Sequence, residues 1–219
     1  MAFKPAVSLT EQIADHLSNE IITGRLAPTE RIQELRIAKD LGVSRGSVRE
    51  ALLILEGRHL IDIIPRRGAV VSTLDPDGME GLLELASDLV TLLFQRVARR
   101  TAGAENGVME PLSASLDCLT RSLDEDDEHF VSAKFEFVQA AFPLAENPYL
   151  ATVLEHLLPA VHRVTQQASA HPSYDRGDTL RFAKGLLEAI REQQSERIEE
   201  LVHGHFRRER RLALDAIVH

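Results

Sequence analysis

The first quarter of the chain places apolar residues at helical spacing in three successive stretches. Residues 8–24, 34–41 and 44–58 each repeat apolar side chains every three to four positions, which predicts three helices. Ser8 stands three positions before Glu11, which is the spacing of a capping box at the start of a helix. Only a short turn separates the second stretch from the third. These two stretches therefore predict a helix-turn-helix.

Two short apolar runs follow the third predicted helix and indicate a β-hairpin. Residues 60–64 and 69–72 favour strands, and the segment Pro65-Arg66-Arg67-Gly68 between them is a turn sequence. Three helices followed by a hairpin are the order of elements in a winged helix-turn-helix. We therefore predict a DNA-binding domain of this kind over residues 1–74.

The pattern after residue 75 is helical throughout, with glycines and prolines at the predicted loops. About six helices are predicted, at 78–101, 105–122, 127–142, 148–169, 177–193 and 196–217. Asn147 is the predicted cap of the fourth, with Pro148 in its first turn. The predicted fold class is mainly α, with a winged helix-turn-helix and its small hairpin followed by an all-α bundle over residues 75–219.

Composition and charge narrow the class of protein. Cys118 is the one cysteine among 219 residues, which excludes a disulfide scaffold. The N-terminal segment does not resemble a secretory signal, and no apolar run reaches the roughly 18 residues that span a bilayer. We therefore expect a soluble, cytoplasmic protein without a membrane partner.

The net charge of −9 is distributed unevenly along the chain. Residues 1–74 carry a balance of +1 and residues 75–219 a balance of −10, while residues 44–72 hold five arginines against three acidic residues. Salt screens charges beyond a Debye length of about 8 Å, so only local charge acts on a DNA phosphate. The acidic second half therefore does not argue against DNA binding by the first.

The start of the third predicted helix combines small and cationic side chains, a composition that suits the major groove. Arginine can read guanine O6 and N7 there, and an arginine pair at a hairpin tip suits phosphates or the minor groove. The alternative is a surface helix with incidental arginines. The predicted DNA-binding residues are Arg36, Ser44, Arg45, Gly46, Ser47, Arg49, Arg66, Arg67 and Gly68. One short helix reads few base pairs, so we expect a homodimer on a palindromic operator in double-stranded DNA.

Most of residues 8–72 resembles the GntR family of bacterial transcription regulators, in the subfamily related to the fatty-acid regulator. The resemblance rests on Gly24-Arg25-Leu26, Leu41-Gly42-Val43-Ser44-Arg45, Val48-Arg49-Glu50-Ala51-Leu52 and Pro65-Arg66-Arg67-Gly68-Ala69. It implies a repressor with a helical effector-binding and dimerisation domain of the FCD type. Two departures, Leu35 in place of a DNA-contacting arginine and Gly46-Ser47 in place of Thr-Pro, imply a different operator sequence.

The resemblance also implies a divalent-metal site in the helical domain, from which this chain departs. The four positions that correspond to an aspartate and three histidines in relatives hold Lys134, Val138, Ala183 and His205. A single imidazole does not make a metal site, so we expect no metal and no cofactor. The arginine that holds an effector carboxylate in relatives corresponds to Ala86.

Most of these replacements are apolar, which favours an effector such as a fatty acyl or aromatic acid. Lys134 is the exception, since it lies in the apolar stripe of Phe130, Val138 and Ala141, which holds no acidic side chain. It either extends to water or supplies the positive charge that a metal would provide. His205 is either a ligand contact or a hydrogen-bonded core histidine. The predicted effector-binding residues are Lys134, Val138, Ala183, His205 and Ala86.

Two other functions stay open. One is a dimeric DNA-binding regulator whose helical half senses nothing. The other is a metal-dependent helical enzyme, because Glu200 and His203 have the spacing used in di-iron bundles, which requires a second copy on another helix. The sequence contains no P-loop, G-x-S-x-G, H-E-x-x-H or dinucleotide motif, so we predict that the protein is not an enzyme.

Overall fold

The computed structural model describes residues 8–73, 75–103 and 107–218, which form two compact units on either side of residue 74. The elements of the first unit are α1 (Leu9–Ile22), α2 (Glu34–Asp40), α3 (Arg45–Gly57), β1 (Ile61–Ile64) and β2 (Gly68–Val71). The helices of the second unit are α4 (Pro76–Arg100), α5 (Glu110–Arg121), α6 (Asp127–Gln139), α7 (Phe142–Ala145), α8 (Pro148–Ser169), α9 (Arg176–Arg191) and α10 (Ser195–Val218). These elements confirm the predicted fold class.

Local capping explains where the helices of the first unit begin. Ser8 Oγ accepts a hydrogen bond from the Glu11 amide at 3.1 Å, and the Glu11 carboxylate accepts one from the Ser8 amide at 2.9 Å. Ser44 Oγ caps α3 by accepting a hydrogen bond from the Ser47 amide at 3.0 Å. Gly42 has a φ of +66°, which glycine adopts without strain and which lets the chain turn between α2 and α3. The predicted helix-turn-helix is thus confirmed.

The hairpin is attached to the helical core of the first unit. β1 pairs antiparallel with β2, in a register that sets Ile61 opposite Val71. The Ile32 amide, just before α2, donates a hydrogen bond to the Ala69 carbonyl at 2.9 Å. Apolar side chains of the helices and strands share one core that includes Ile13, Leu17, Ile21, Val48, Leu52, Leu55, Leu60, Ile61 and Val71. Burial of this core, at roughly 25 cal/mol per Å² of apolar surface, fixes the hairpin relative to α3.

The second unit packs α4, α8, α9 and α10 together, with α6 against α8. Its largest fully buried side chains include Phe94 of α4 and Phe130 and Phe137 of α6. The rings of Phe94 and Phe137 stack with their centroids 6.0 Å apart. Asn147 caps α8 as predicted, with its side chain accepting a hydrogen bond from the Leu150 amide. No helix in the described ranges is both long and apolar enough to cross a membrane.

The helix predicted over 127–142 is wrong at its end. Helix α6 stops at Gln139, and the separate one-turn helix α7 begins at Phe142. Pro143 lies in the first turn of α7, where its missing N–H leaves no intrahelical bond unmade; inside a continuous helix it would break the hydrogen-bond ladder.

The helix predicted over 105–122 is wrong at its start. Residues 105 and 106 lie outside the described residues, and Gly107 has a φ of +121°, which is not helical. Helix α5 begins at Glu110, so Pro111 lies in its first turn. The other predicted boundaries, including those of both strands, agree to within two residues.

Candidate nucleic-acid interface and ligand cavity

The arginines at the start of α3 line a groove at the surface of the first unit. Arg45 and Arg49 form part of its wall together with Gly68 at the start of β2. The two arginine side chains are 53% and 63% exposed. Arg66 and Arg67 lie at the exposed turn between the strands. The fold therefore leaves both sets of predicted arginines accessible on one unit.

Glu34 at the start of α2 holds the two α3 arginines. Its Oε2 accepts a hydrogen bond from Arg49 Nε at 2.8 Å and lies 3.8 Å from Arg45 Nη2. Exposed ion pairs contribute at most about 1 kcal/mol to stability, so the main consequence is to restrict where the guanidinium groups point. Glu34 is not among the residues predicted from the sequence to take part in DNA binding. The available signal was an acidic residue at the start of the helix that precedes an arginine-rich one.

The remaining predicted DNA-binding residues are placed differently. Arg36 lines another groove and lies 3.6 Å from Asp40, one turn further along α2. The hydroxyls of Ser44 and Ser47 are 2.9 Å apart and bond to each other at the helix cap. A Cβ at Gly46 would meet Ser44 Oγ at 3.6 Å, an ordinary contact, so packing does not require glycine there. Gly46 therefore opens the surface of α3 without being needed for its fold.

The second unit encloses a cavity of about 30 Å³ lined by side chains of α4, α5, α6, α8, α9 and α10. Four of the five predicted effector-binding residues line it, namely Lys134, Val138, Ala183 and His205. Ala86 is buried in α4 outside this lining. The positions that correspond to metal ligands in relatives thus surround one small space.

Lys134 is buried and ion-paired, which corrects the prediction that it lacks an acidic partner or extends to water. Its Nζ lies 3.1 Å from Glu209 Oε1, and the two side chains are 11% and 6% exposed. Burial lowers the pKa of Lys134, and the Glu209 carboxylate opposes that shift. The pattern along α6 could not reveal this partner because Glu209 lies on α10.

His205 lies beside this pair with its ring stacked on that of Phe182, the centroids being 4.2 Å apart. Burial and, second, the charge of Lys134 hold the pKa of His205 well below its usual value, so the ring is neutral at pH 7. Within the described part of the chain, neither His205 Nε2 nor Glu209 Oε2 has a hydrogen-bond partner, although both atoms are buried. The prediction of a hydrogen-bonded core histidine is therefore not supported at Nε2.

The residues at the cavity do not fit a bound metal ion. Of the four corresponding positions only His205 carries a ligating group, and no group of three His, Cys, Asp or Glu side chains among the described residues could hold a metal. The Glu200 and His203 pair is engaged elsewhere: Glu200 lies 3.1 Å from Arg197, and His203 Nε2 lies 3.2 Å from Asp88. We therefore derive no metal chemistry from this site.

A winged helix-turn-helix with exposed arginines, followed by an all-helical unit, is the architecture of a class of DNA-binding transcription regulators. The family model for bacterial regulatory proteins of the gntR family matches residues 9–71, and the FCD domain model matches residues 82–208. The chain belongs to the GntR family, and its second unit contains an FCD domain. The GntR family and the FCD-type helical domain inferred from the sequence are confirmed.

Relatives along most of the chain are transcription regulators. The chain is 25% identical over 198 residues to the uncharacterised HTH-type transcriptional regulator YdhC of Bacillus subtilis, covering 89% of this chain and 86% of that protein. It is 23% identical over 208 residues to the galactonate operon transcriptional repressor of Escherichia coli, covering 87% and 90%. The solved structure of E. coli McbR/YncC shares the fold with a TM-score of 0.81 at 19% identity, covering 96% of this chain and 99% of that one.

Proposed function

We propose that the protein is a homodimeric repressor of the cytoplasm that binds a palindromic operator and is released by a small effector in its helical unit. The observation that carries the DNA-binding half of this proposal is the exposed pair Arg45 and Arg49 beside the wing, both held by Glu34. A guanidinium directed outward from the first turn of a recognition helix can bond guanine O6 and N7. Arg66 and Arg67 at the wing then contact phosphates or the minor groove.

A stripe of leucines on α4 supports the homodimer. Its members are spaced three and four residues apart and none is fully buried; they are Leu82, Leu85, Leu89 and Leu92. Leu85 and Leu92, two turns apart, are 51% and 42% exposed. A stripe with this spacing is the seam by which two helices pack, so a second copy of α4 would cover it. The result is two recognition helices for one inverted repeat.

The cavity around Lys134 supports an effector site, with one change to the expected ligand. The apolar replacements still favour an apolar body, but the role of Lys134 as the anchor of an acid group depended on its lacking a partner, and Glu209 removes that basis. The wall is otherwise largely apolar, which favours a compound with an apolar body and a polar end. Since about 30 Å³ holds little more than a water molecule, binding must displace side chains. Such a displacement can shift the geometry of the dimer and so the operator affinity.

The small volume of the cavity also favours a second candidate function, a regulator whose helical unit senses nothing. The two candidates differ in one observable. A sensing domain gains thermal stability with a compound that also changes operator affinity, whereas a non-sensing domain has no such compound.

Fluorescence anisotropy with an operator obtained by selection tests the DNA-binding half. Arg45→Ala is expected to cost about 1–3 kcal/mol on that operator, because a bidentate base contact is lost. Arg25→Ala is the matched control, since Arg25 is 46% exposed, pairs with Glu20 and lies outside the groove of Arg45. Equal affinities for the wild type and Arg45→Ala would remove Arg45 from the reading role.

A further inference from the structure

Three polar groups in the wall of the cavity have hydrogen-bonding capacity that the described residues leave unused. Glu209 Oε2 and His205 Nε2 are buried without a partner. Lys134 Nζ carries three N–H groups, and Glu209 Oε1 is its one acceptor in the described ranges. A buried donor or acceptor without a partner is destabilising, so each of these atoms favours a ligand that supplies the missing hydrogen bond.

The charges of this group cancel. Lys134 carries one positive charge, Glu209 one negative charge, and His205 is neutral. An incoming carboxylate would therefore be attracted by the ammonium and repelled by Glu209 Oε2, which belongs to the same ion pair. In a poorly hydrated site both effects are stronger than in water, so the attraction gives no net advantage to an anion.

We propose that the cavity selects a neutral polar end group that both donates and accepts hydrogen bonds, a primary amide or a hydroxyl, with Glu209 as the specificity-determining residue. The ligand's N–H or O–H donates to Glu209 Oε2, and its oxygen accepts from Lys134 Nζ. A bare carboxylate has no hydrogen to donate and leaves Glu209 Oε2 unmatched. This inference rests on the proposed function, since it takes the cavity to be the effector site.

Two side chains border both the cavity and the surface, and we expect a ligand to enter beside them. Leu83 of α4 and Phe206 of α10 line both the cavity and a surface groove between those helices. Both have apolar surface on the inner side, where the body of a ligand would pack. The polar end therefore reaches Lys134 and Glu209 while the apolar body displaces Phe206 toward the groove.

A matched series of probes tests the selection directly. Phenylacetamide, 2-phenylethanol and phenylacetate share an apolar body and differ in the end group, and their dissociation constants are measured by NMR titration of the full chain. The amide and the alcohol are expected to bind the wild type about tenfold more tightly than phenylacetate, because each completes a hydrogen bond to a charged group. Tighter binding of phenylacetate, or no binding of any probe, would overturn the proposal.

Substitution of Glu209 assigns the selectivity to that residue. In Glu209→Gln the side-chain amide can donate an N–H to a carboxylate. The preference for phenylacetamide and 2-phenylethanol over phenylacetate should therefore fall about tenfold or reverse. Glu200→Gln is the control, because the Glu200 side chain is 68% exposed on the same helix. If Glu209→Gln does not fold, Lys134→Met/Glu209→Met removes both charges and should bind all three probes within about threefold of one another. An unchanged preference in the variant that folds would refute the role of Glu209.

Operator binding in the presence of the same probes separates this inference from the proposed function. If phenylacetamide binds selectively but leaves operator affinity unchanged, the end-group selection stands and the effector role of the cavity fails. If phenylacetate binds more tightly than the amide and releases the operator, the effector role stands and the selection proposed here fails.

Discussion

Lys134→Met tests the buried ion pair because it keeps most of the apolar stem and removes the charge. Glu209 then lies 6% exposed without the cation that is 3.1 Å from it in the native unit. Removing one partner of a buried pair costs about 3–5 kcal/mol, because the remaining charge is neither hydrated nor compensated. For a chain of this size the melting temperature of the second unit should fall by roughly 10 °C.

Urea unfolding followed by far-ultraviolet circular dichroism measures this loss of stability. Two further variants serve as reference points for its size. Lys134→Met/Glu209→Leu should recover to within about 1 kcal/mol of the wild type, since an apolar pair replaces both charges. Arg197→Met breaks an exposed pair, with side chains 55% and 68% exposed, and should cost less than about 1 kcal/mol. If Lys134→Met costs no more than Arg197→Met, the pair is hydrated and the argument from its burial fails.

Three further predictions concern other parts of the chain. Burial and, second, the charge of Lys134 lower the pKa of His162 from 6.5 to about 4. The free energy of unfolding should therefore fall as the pH drops from 6.5 toward 4, by about 2 kcal/mol at pH 5. The urea midpoint should fall less over this range for His162→Phe than for the wild type, and equal falls would contradict this. Leu85→Asp should convert the dimer to a monomer, as measured by light scattering. Leu53→Asp should not, because Leu53 is 60% exposed in the first unit and lies outside the α4 stripe. If Leu85→Asp stays dimeric, the α4 stripe is not the dimer interface. Leu35 is 64% exposed in the groove of Arg45, where the methyl group of an operator thymine would be an apolar partner. Replacing that thymine with deoxyuridine should weaken binding by the wild type by about 0.8 kcal/mol but should not weaken binding by Leu35→Ala. Anisotropy titrations in which no thymine is sensitive to this replacement would refute the contact.

Features set by neighbouring residues could be predicted from the sequence. The capping box of Ser8 and Glu11 and the cap at Ser44 join residues three positions apart, so their spacing alone identifies them. The period of α6 likewise shows that Lys134 faces inward. It cannot show what faces Lys134 from α10, because packing between helices brings Glu209 there.

The sequence could not predict ion pairs between residues on opposite sides of a turn either. Glu34 and Arg49 are 15 positions apart, and only the angle between α2 and α3 brings their side chains to 2.8 Å. The break between α6 and α7 was missed for another reason. The apolar pattern continues through it, and the prediction gave too little weight to the missing N–H of Pro143.

The proposed function requires that two copies of α3 read an inverted repeat through Arg45. Selection of binding sites from a pool of randomised duplex DNA, carried out in parallel with the wild type and Arg45→Ala, tests it most directly. The wild type should enrich an inverted repeat, and Arg45→Ala should lose the preference for one base pair in each half-site while keeping the rest. Enrichment of a site without two-fold symmetry by the wild type, or of identical sites by both proteins, would contradict the account.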